Sequence, residues 1–133
     1  MPGWKWSERS LKNLEGVAPA LRMIADEALK ISPVDFGVVC GHRGEEEQMS
    51  AYREGKSRVK WPNSKHNRIP AEAIDIVTYP DETACYYLVA AIMLGLGWKS
   101  GIRLRWGGAW NGRLNEDWML MDYGHIEIEG ECC

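Results

Sequence analysis

The run TACYYLVAAIMLGLG, residues 83–97, is apolar on nearly every face of a helix. A helix of that kind has to be buried, and fifteen residues fall short of the roughly 18 needed to cross a bilayer. The rest of the 133-residue chain must therefore supply the cover. That length suits a single domain, taken as residues 1–133, with no room for a second. Apolar residues at 45%, with seven Trp and five Tyr, provide the material for a core and exclude intrinsic disorder.

Around that helix the pattern alternates between short helices and short strands. Ser7 is placed to cap a first turn through Leu11 and Leu14 that Gly16 ends, and Pro19 suits the first position of a second helix. There Leu21, Ile24, Ala25, Ala28 and Leu29 share one face, and Pro33 closes the element. DFGVVC (35–40) predicts a strand. Glu45, Glu46 and Glu47 suit the positive end of a third helix that stops at Gly55. Residues 56–70 predict a loop, AIDIV (73–77) a strand, IRLRW (102–106) a strand and GHIEIE (124–129) the last strand. The sum is a small α+β domain with a mixed or antiparallel sheet and helices on one side.

A net charge of −3 argues against general attraction to nucleic acid or anionic lipid. The basic stretch of Arg53, Lys56, Arg58, Lys60, Lys65 and Arg68, with Trp61 among them, is the one feature that fits a polyanion-binding module. MPGWKWSERS carries charge without an apolar run behind it, so no signal peptide is expected. Cys40, Cys85, Cys132 and Cys133 form no CxxC pair; Cys40 and Cys85, in apolar runs, read as buried small hydrophobes rather than a disulfide framework.

Asp75 is a lone charge between Ile74 and Ile76, costly to bury unless it is paired or bound to metal. Strand parity sets it on the face opposite those isoleucines. His125 opens a strand whose other face is Ile126 and Ile128, and His66 stands in a loop nine residues before Asp75. A His, a carboxylate and a second His can bind zinc and leave a fourth position for water, with Asp122 beside them as a proton acceptor. Two ordinary alternatives stand beside this: hydrogen-bonded structural histidines, or Asp75 paired across the sheet with Arg103 or Arg105. His42 is a weaker ligand candidate, and Glu127 is either a partner that orients His125 or a salt-bridged strand residue. Trp106, Trp110 and Trp118 either line a cleft or pack in the core.

Ser64-Lys65-His66, Ala73-Ile74-Asp75 and Asp122-Tyr123-Gly124-His125-Ile126-Glu127 together resemble the LAS group of zinc peptidases. Within that group GHRGEEEQ, RLRWGGAWNG and the opening helix and strand are most similar to the phage endolysins that cleave L-alanyl-D-glutamate bonds. The resemblance spans the chain and implies a Hedgehog/DD-peptidase-like fold. It implies a zinc cofactor on His66, Asp75 and His125, Asp122 as the catalytic carboxylate, and Arg43 as a substrate-binding and carbonyl-polarising arginine. Ser64 matches the motif serine, as a local hydrogen-bonding residue rather than a nucleophile, and with Trp106 it is taken as a substrate-binding candidate beside Arg43. Asp75 follows His66 by nine positions where the family's SxHxxGxAxD has seven, which reads as a two-residue expansion of the loop, with Asp75 rather than Glu72 as the ligand.

The function expected is therefore a peptidoglycan endopeptidase acting on stem peptides, with a D-alanyl-D-alanine carboxypeptidase as the alternative within the same group. A monomer is expected, with no nucleic-acid partner and no stable membrane insertion. It would be held in the host bacterial cytoplasm until lysis and would then act on the wall from the periplasm.

Overall fold

The computed structural model describes residues 3–109 and 122–130. Trp110, Trp118, Cys132 and Cys133 lie outside the described residues. The elements are α1 (Glu8–Leu14), α2 (Pro19–Ile31), β1 (Asp35–Cys40), α3 (Glu45–Arg53), β2 (Ala73–Tyr79), α4 (Thr83–Lys99), β3 (Leu104–Trp106) and β4 (His125–Ile128), with a short 3₁₀ turn at Lys65–Asn67. Ser7 caps α1 by accepting from the Ser10 N–H, Pro19 occupies the first turn of α2, and Gly55 takes a left-handed φ of 77° after α3, so these local signals act as predicted.

The four strands run antiparallel in the order β1-β2-β4-β3. α4 lies against β2 and β3, α2 packs on α4, and α1 packs on β1. One core cluster joins them, with Leu21, Ile24, Phe36, Val38, Ile74, Ile76, Met93 and Ile126 all buried. β1 is an edge strand, and α1 satisfies part of that edge. The Ser10 Oγ accepts from the Val38 N–H at 3.0 Å, and the Asn13 Nδ2 donates to the Val38 carbonyl at 2.8 Å.

Two expectations are corrected here. α4 is not buried on every side: Cys85, Val89, Ala90, Met93 and Gly97 are buried, at helical spacing, while Leu88 and Trp98 are exposed, Trp98 to 76%. The sheet and α2 cover only one stripe, and the outer face carries the small residues Ala84, Ala91 and Gly95, whose exposure costs little. β3 is also shorter than predicted, beginning at Leu104 rather than Ile102. No helix among the described residues is long and apolar enough to cross a membrane.

Candidate metal centre and active site

Alternation along β2 and β4 builds the centre. Ile74 pairs with Ile126 towards the core, while Asp75 pairs directly with His125 on the opposite face. That register brings His125 Nδ1 to 3.1 Å from Asp75 Oδ1. His66 arrives from the 3₁₀ turn, its Nε2 3.3 Å from Asp75 Oδ2, and the two imidazole rings stand edge to face with centroids 5.1 Å apart.

The ring nitrogens divide their roles. His66 Nδ1 sits 2.7 Å from the Gly41 carbonyl, which only an N–H can satisfy, so Nε2 is left for another partner. That Nε2 meets no hydrogen-bond geometry, although the ring is only 2% exposed; its neighbour is the Asp75 oxygen at 3.3 Å. In His125 the assignment is reversed: Nε2 donates to Glu127 Oε1 at 2.8 Å, and Nδ1 faces Asp75. Two imidazole nitrogens on one carboxylate form a donor set of the kind that holds a divalent metal ion, and ligand atoms of Cys40, His66 and Asp75 lie within 4.8 Å of one another. Asp122 joins them, with ligand atoms of Asp75, Asp122 and His125 all within 4.8 Å of one another.

Without metal the cluster holds protons tightly. Burial opposes charge on His66, but the Asp75 carboxylate and the Cys40 sulfur outweigh it and lift the group to about 10. Burial likewise opposes charge on His125, and Asp75 with Glu127 raises it to about 9. Burial would push Asp75 up, yet the two histidines hold it well below the usual carboxylate range. The Asp122 carboxyl is pushed upward, by lost hydration on its inner side and by the charge of Asp75.

Arg43 closes the other side. Its Nη2 is 3.3 Å from Asp75 Oδ2, and its Nη1 donates to Gln48 Oε1 at 2.9 Å. Gln48 is fully buried and uses its whole amide: Oε1 also accepts from Asn67, and Nε2 donates to the Ser57 hydroxyl and the Val59 carbonyl, both at 2.8 Å. An open groove lined by Cys40, Arg43, Glu47, Ser50 and Ala51 shares Cys40 and Arg43 with the cluster.

Asp75 thus pairs with Arg43 and the histidines rather than with Arg103 or Arg105, which lie beside Glu129 and Glu127 instead. Glu72 is away from the cluster, 2.7 Å from Arg68 Nη1, and His42 is exposed outside it. The expanded loop swings outward, leaving Ile69 87% exposed, and is closed where the Glu72 N–H donates to the Lys65 carbonyl at 3.0 Å. The extra residues are therefore absorbed before β2 begins, and Asp75 keeps its parity.

Ser64 caps the 3₁₀ turn, its Oγ accepting from the His66 N–H at 3.2 Å, so it steadies the segment that carries His66. Trp106 takes the packing role of its two alternatives: it is buried, edge to face with Tyr87 at 5.1 Å, and its indole N–H donates to the Tyr123 carbonyl at 2.7 Å. Cys40 corrects the expectation of an inert buried hydrophobe. It is partly exposed, with Sγ 3.7 Å from His66 Nδ1 and 3.6 Å from Arg43 Nη2. The cause is a register shift between Val38 and Cys40, which sets Val38 opposite Ile76 on the core side and Cys40 opposite Asp75 on the other.

A small α+β domain presenting a His-Asp-His centre, flanked by an arginine and a further carboxylate, defines a metallohydrolase-type site. The family described as phage L-alanyl-D-glutamate peptidase matches residues 2–129, and the chain belongs to it. It is 31% identical over 135 residues to the L-alanyl-D-glutamate peptidase of Escherichia phage T5, covering 94% of this chain and 98% of that one. The crystal structure of the Serratia marcescens L-Ala D-Glu endopeptidase ChiX is also similar. Its TM-score is 0.76 at 29% identity, over 94% of this chain and 90% of that chain.

Proposed function

We propose that this protein is a zinc-dependent peptidoglycan endopeptidase of the phage-lysin kind, hydrolysing the L-alanyl-D-glutamate bond of stem peptides. Residues 1–133 would act as one catalytic domain. The observation that carries the proposal is that His66 Nε2 and His125 Nδ1 stand 3.3 and 3.1 Å from the two oxygens of one carboxylate, Asp75, beside Asp122 and Arg43. His66, Asp75 and His125 would hold the metal. A zinc ion bound there supplies Lewis-acid activation of water and of the scissile carbonyl.

The protein's own residues supply the rest. Asp122, with its raised proton affinity, takes the proton released by the attacking water and returns it to the leaving amine of D-glutamate. Arg43, held by Gln48, directs a fixed positive charge to the substrate side of Asp75 and offsets the negative charge that develops on the carbonyl oxygen. The reaction requires no covalent intermediate; Cys40 and Ser64 are occupied as neighbours of His66. The protein would work as a monomer, kept in the host cytoplasm until lysis and then acting on the wall from the periplasm.

Mass spectrometry of peptidoglycan digested by the zinc-loaded protein tests this. New amino termini at D-glutamate are expected. Release of free D-alanine instead would reassign the bond to the carboxypeptidase class, and release of neither would overturn the peptidase proposal.

A further inference from the structure

Glu127 has both oxygens engaged at a buried position next to a proposed metal ligand. Oε1 accepts from His125 Nε2 at 2.8 Å, and Oε2 lies 3.3 Å from Lys65 Nζ and 3.7 Å from Arg105 Nη1. The side chains of Glu127 and Lys65 are only 11% and 14% exposed. Lys65 directly precedes His66, and its ammonium also donates to the carbonyls of Ile128, the last residue of β4, and of Gly130 just beyond it. It thus spends its three donors on the strand that carries His125.

We propose that Glu127 and Lys65 form a buried brace that positions His125 for the metal and ties together the two segments bearing the histidines. The inference rests on the metal centre proposed above. By taking the Nε2–H, Glu127 leaves the Nδ1 lone pair directed at the Asp75 side, and a carboxylate acceptor makes the imidazole a stronger ligand. An unpaired carboxylate could not remain at so enclosed a position, and Lys65 supplies the compensating charge from the neighbouring segment. The distance between His66 and His125 is then set by side chains outside the ligand set as well as by the sheet.

Zinc dissociation constants, measured by competition with a chromophoric chelator, test the brace in the full-length protein. Parent, His66→Ala, Glu127→Gln, Glu127→Leu and Lys65→Met are compared, with thermal unfolding of each metal-free form alongside. Loss of an outer partner of a ligand imidazole weakens metal affinity roughly 10–100-fold. Glu127→Leu is expected in that range, with Glu127→Gln and Lys65→Met towards its lower end. Cobalt-loaded Glu127→Gln is expected to show a shifted visible ligand-field spectrum, which a purely structural salt bridge would leave unchanged. Should Glu127→Leu fail to fold, the near-isosteric Glu127→Gln decides. Zinc affinity within twofold of parent and an unshifted cobalt spectrum in Glu127→Gln would overturn the brace. If the parent binds zinc and His66→Ala does not, that result overturns the brace alone; a parent that binds no zinc overturns the metal centre with it.

Discussion

Asp75 shares its two oxygens among His125, His66 and Arg43, all at 3.1–3.3 Å. A carboxylate so placed is the counter-charge for an arginine and, on the proposal above, a metal ligand as well. Removing either histidine leaves too few donors, so His66→Ala and His125→Ala are expected to lose zinc and activity together; full zinc occupancy in either, by elemental analysis, would contradict the ligand set. Asp122 is proposed to serve the chemistry instead. Asp122→Asn retains the shape and a hydrogen-bonding group but no base, so zinc should stay while turnover falls ~10²–10⁴-fold. Near-normal release of D-glutamate termini by the zinc-loaded variant would remove Asp122 from the mechanism. The proton affinities add a pH dependence. In the metal-free protein His66 and His125 rise from 6.5 to about 10 and about 9, so their contribution to stability is complete below pH 6.5 and is lost as pH climbs through those values. Asp75, lowered from 3.8, contributes fully above that pH and less in stronger acid. Thermal unfolding of chelated protein should therefore weaken from pH 6.5 to 10, and a flat profile across that range would count against the cluster.

At the scale of elements, the approach to β4 positions the acid and the ligand as one unit. The Asp122 N–H donates to the Gly107 carbonyl at 3.1 Å, and the Gly107 N–H donates to the His125 carbonyl at 2.9 Å. The end of β3 therefore holds both residues through backbone bonds. The approach leaves no room for a side chain: a Cβ on Gly107 would stand 2.0 Å from the Asp122 carbonyl oxygen. Gly107→Ala must push that segment away, with a cost of about 1–3 kcal/mol typical of overpacking. Because Asp122 moves before the β2–β4 register does, the variant is expected to retain zinc within a few-fold while losing turnover at least tenfold. A variant with parental turnover would show that Asp122 tolerates displacement.

For the molecule as a whole, the core with α2 and α4 lies on one side of the sheet and the proposed site on the other, so a metal ion held by His66, Asp75 and His125 would join β2, β4 and the 65–67 turn. Binding to the folded state alone stabilises it by about 2.7 kcal/mol at a hundredfold excess over the dissociation constant, which for a domain of this size raises the melting temperature by roughly 10 °C. Chelation should reverse that shift. Zinc must also displace the protons held by His66 and His125, so binding near neutral pH should release protons and tighten as pH rises towards 9. Calorimetry in buffers of different ionisation heat reads this directly, and no proton release would mean that the ions do not compete for these nitrogens.

Much of this architecture was legible residue by residue. Caps, prolines and glycines act within a turn of themselves, which is why Ser7, Pro19 and Gly55 marked their boundaries correctly. The two-residue period of a strand is equally local, so Asp75 and His125 could be assigned a face before any partner was known. What periodicity cannot contain is the identity of whatever lies opposite. The register shift that turns Cys40 towards Asp75, the cover that α4 receives on one side only, and the burial of Trp106 each depend on how separate elements pair. In the sequence Gln48 stood out only as the end of GHRGEEEQ, and Lys65 only as part of a basic stretch and of Ser64-Lys65-His66; packing gave them Arg43 and Glu127 as partners. The sequence by itself determined the elements, the faces of the strands and the candidate ligands, because these follow from short-range sterics and hydrophobic period. The joining of those ligands into one centre, and the residues that hold them, was decided by tertiary structure, because desolvation and pairing across distant segments exist only in the folded chain.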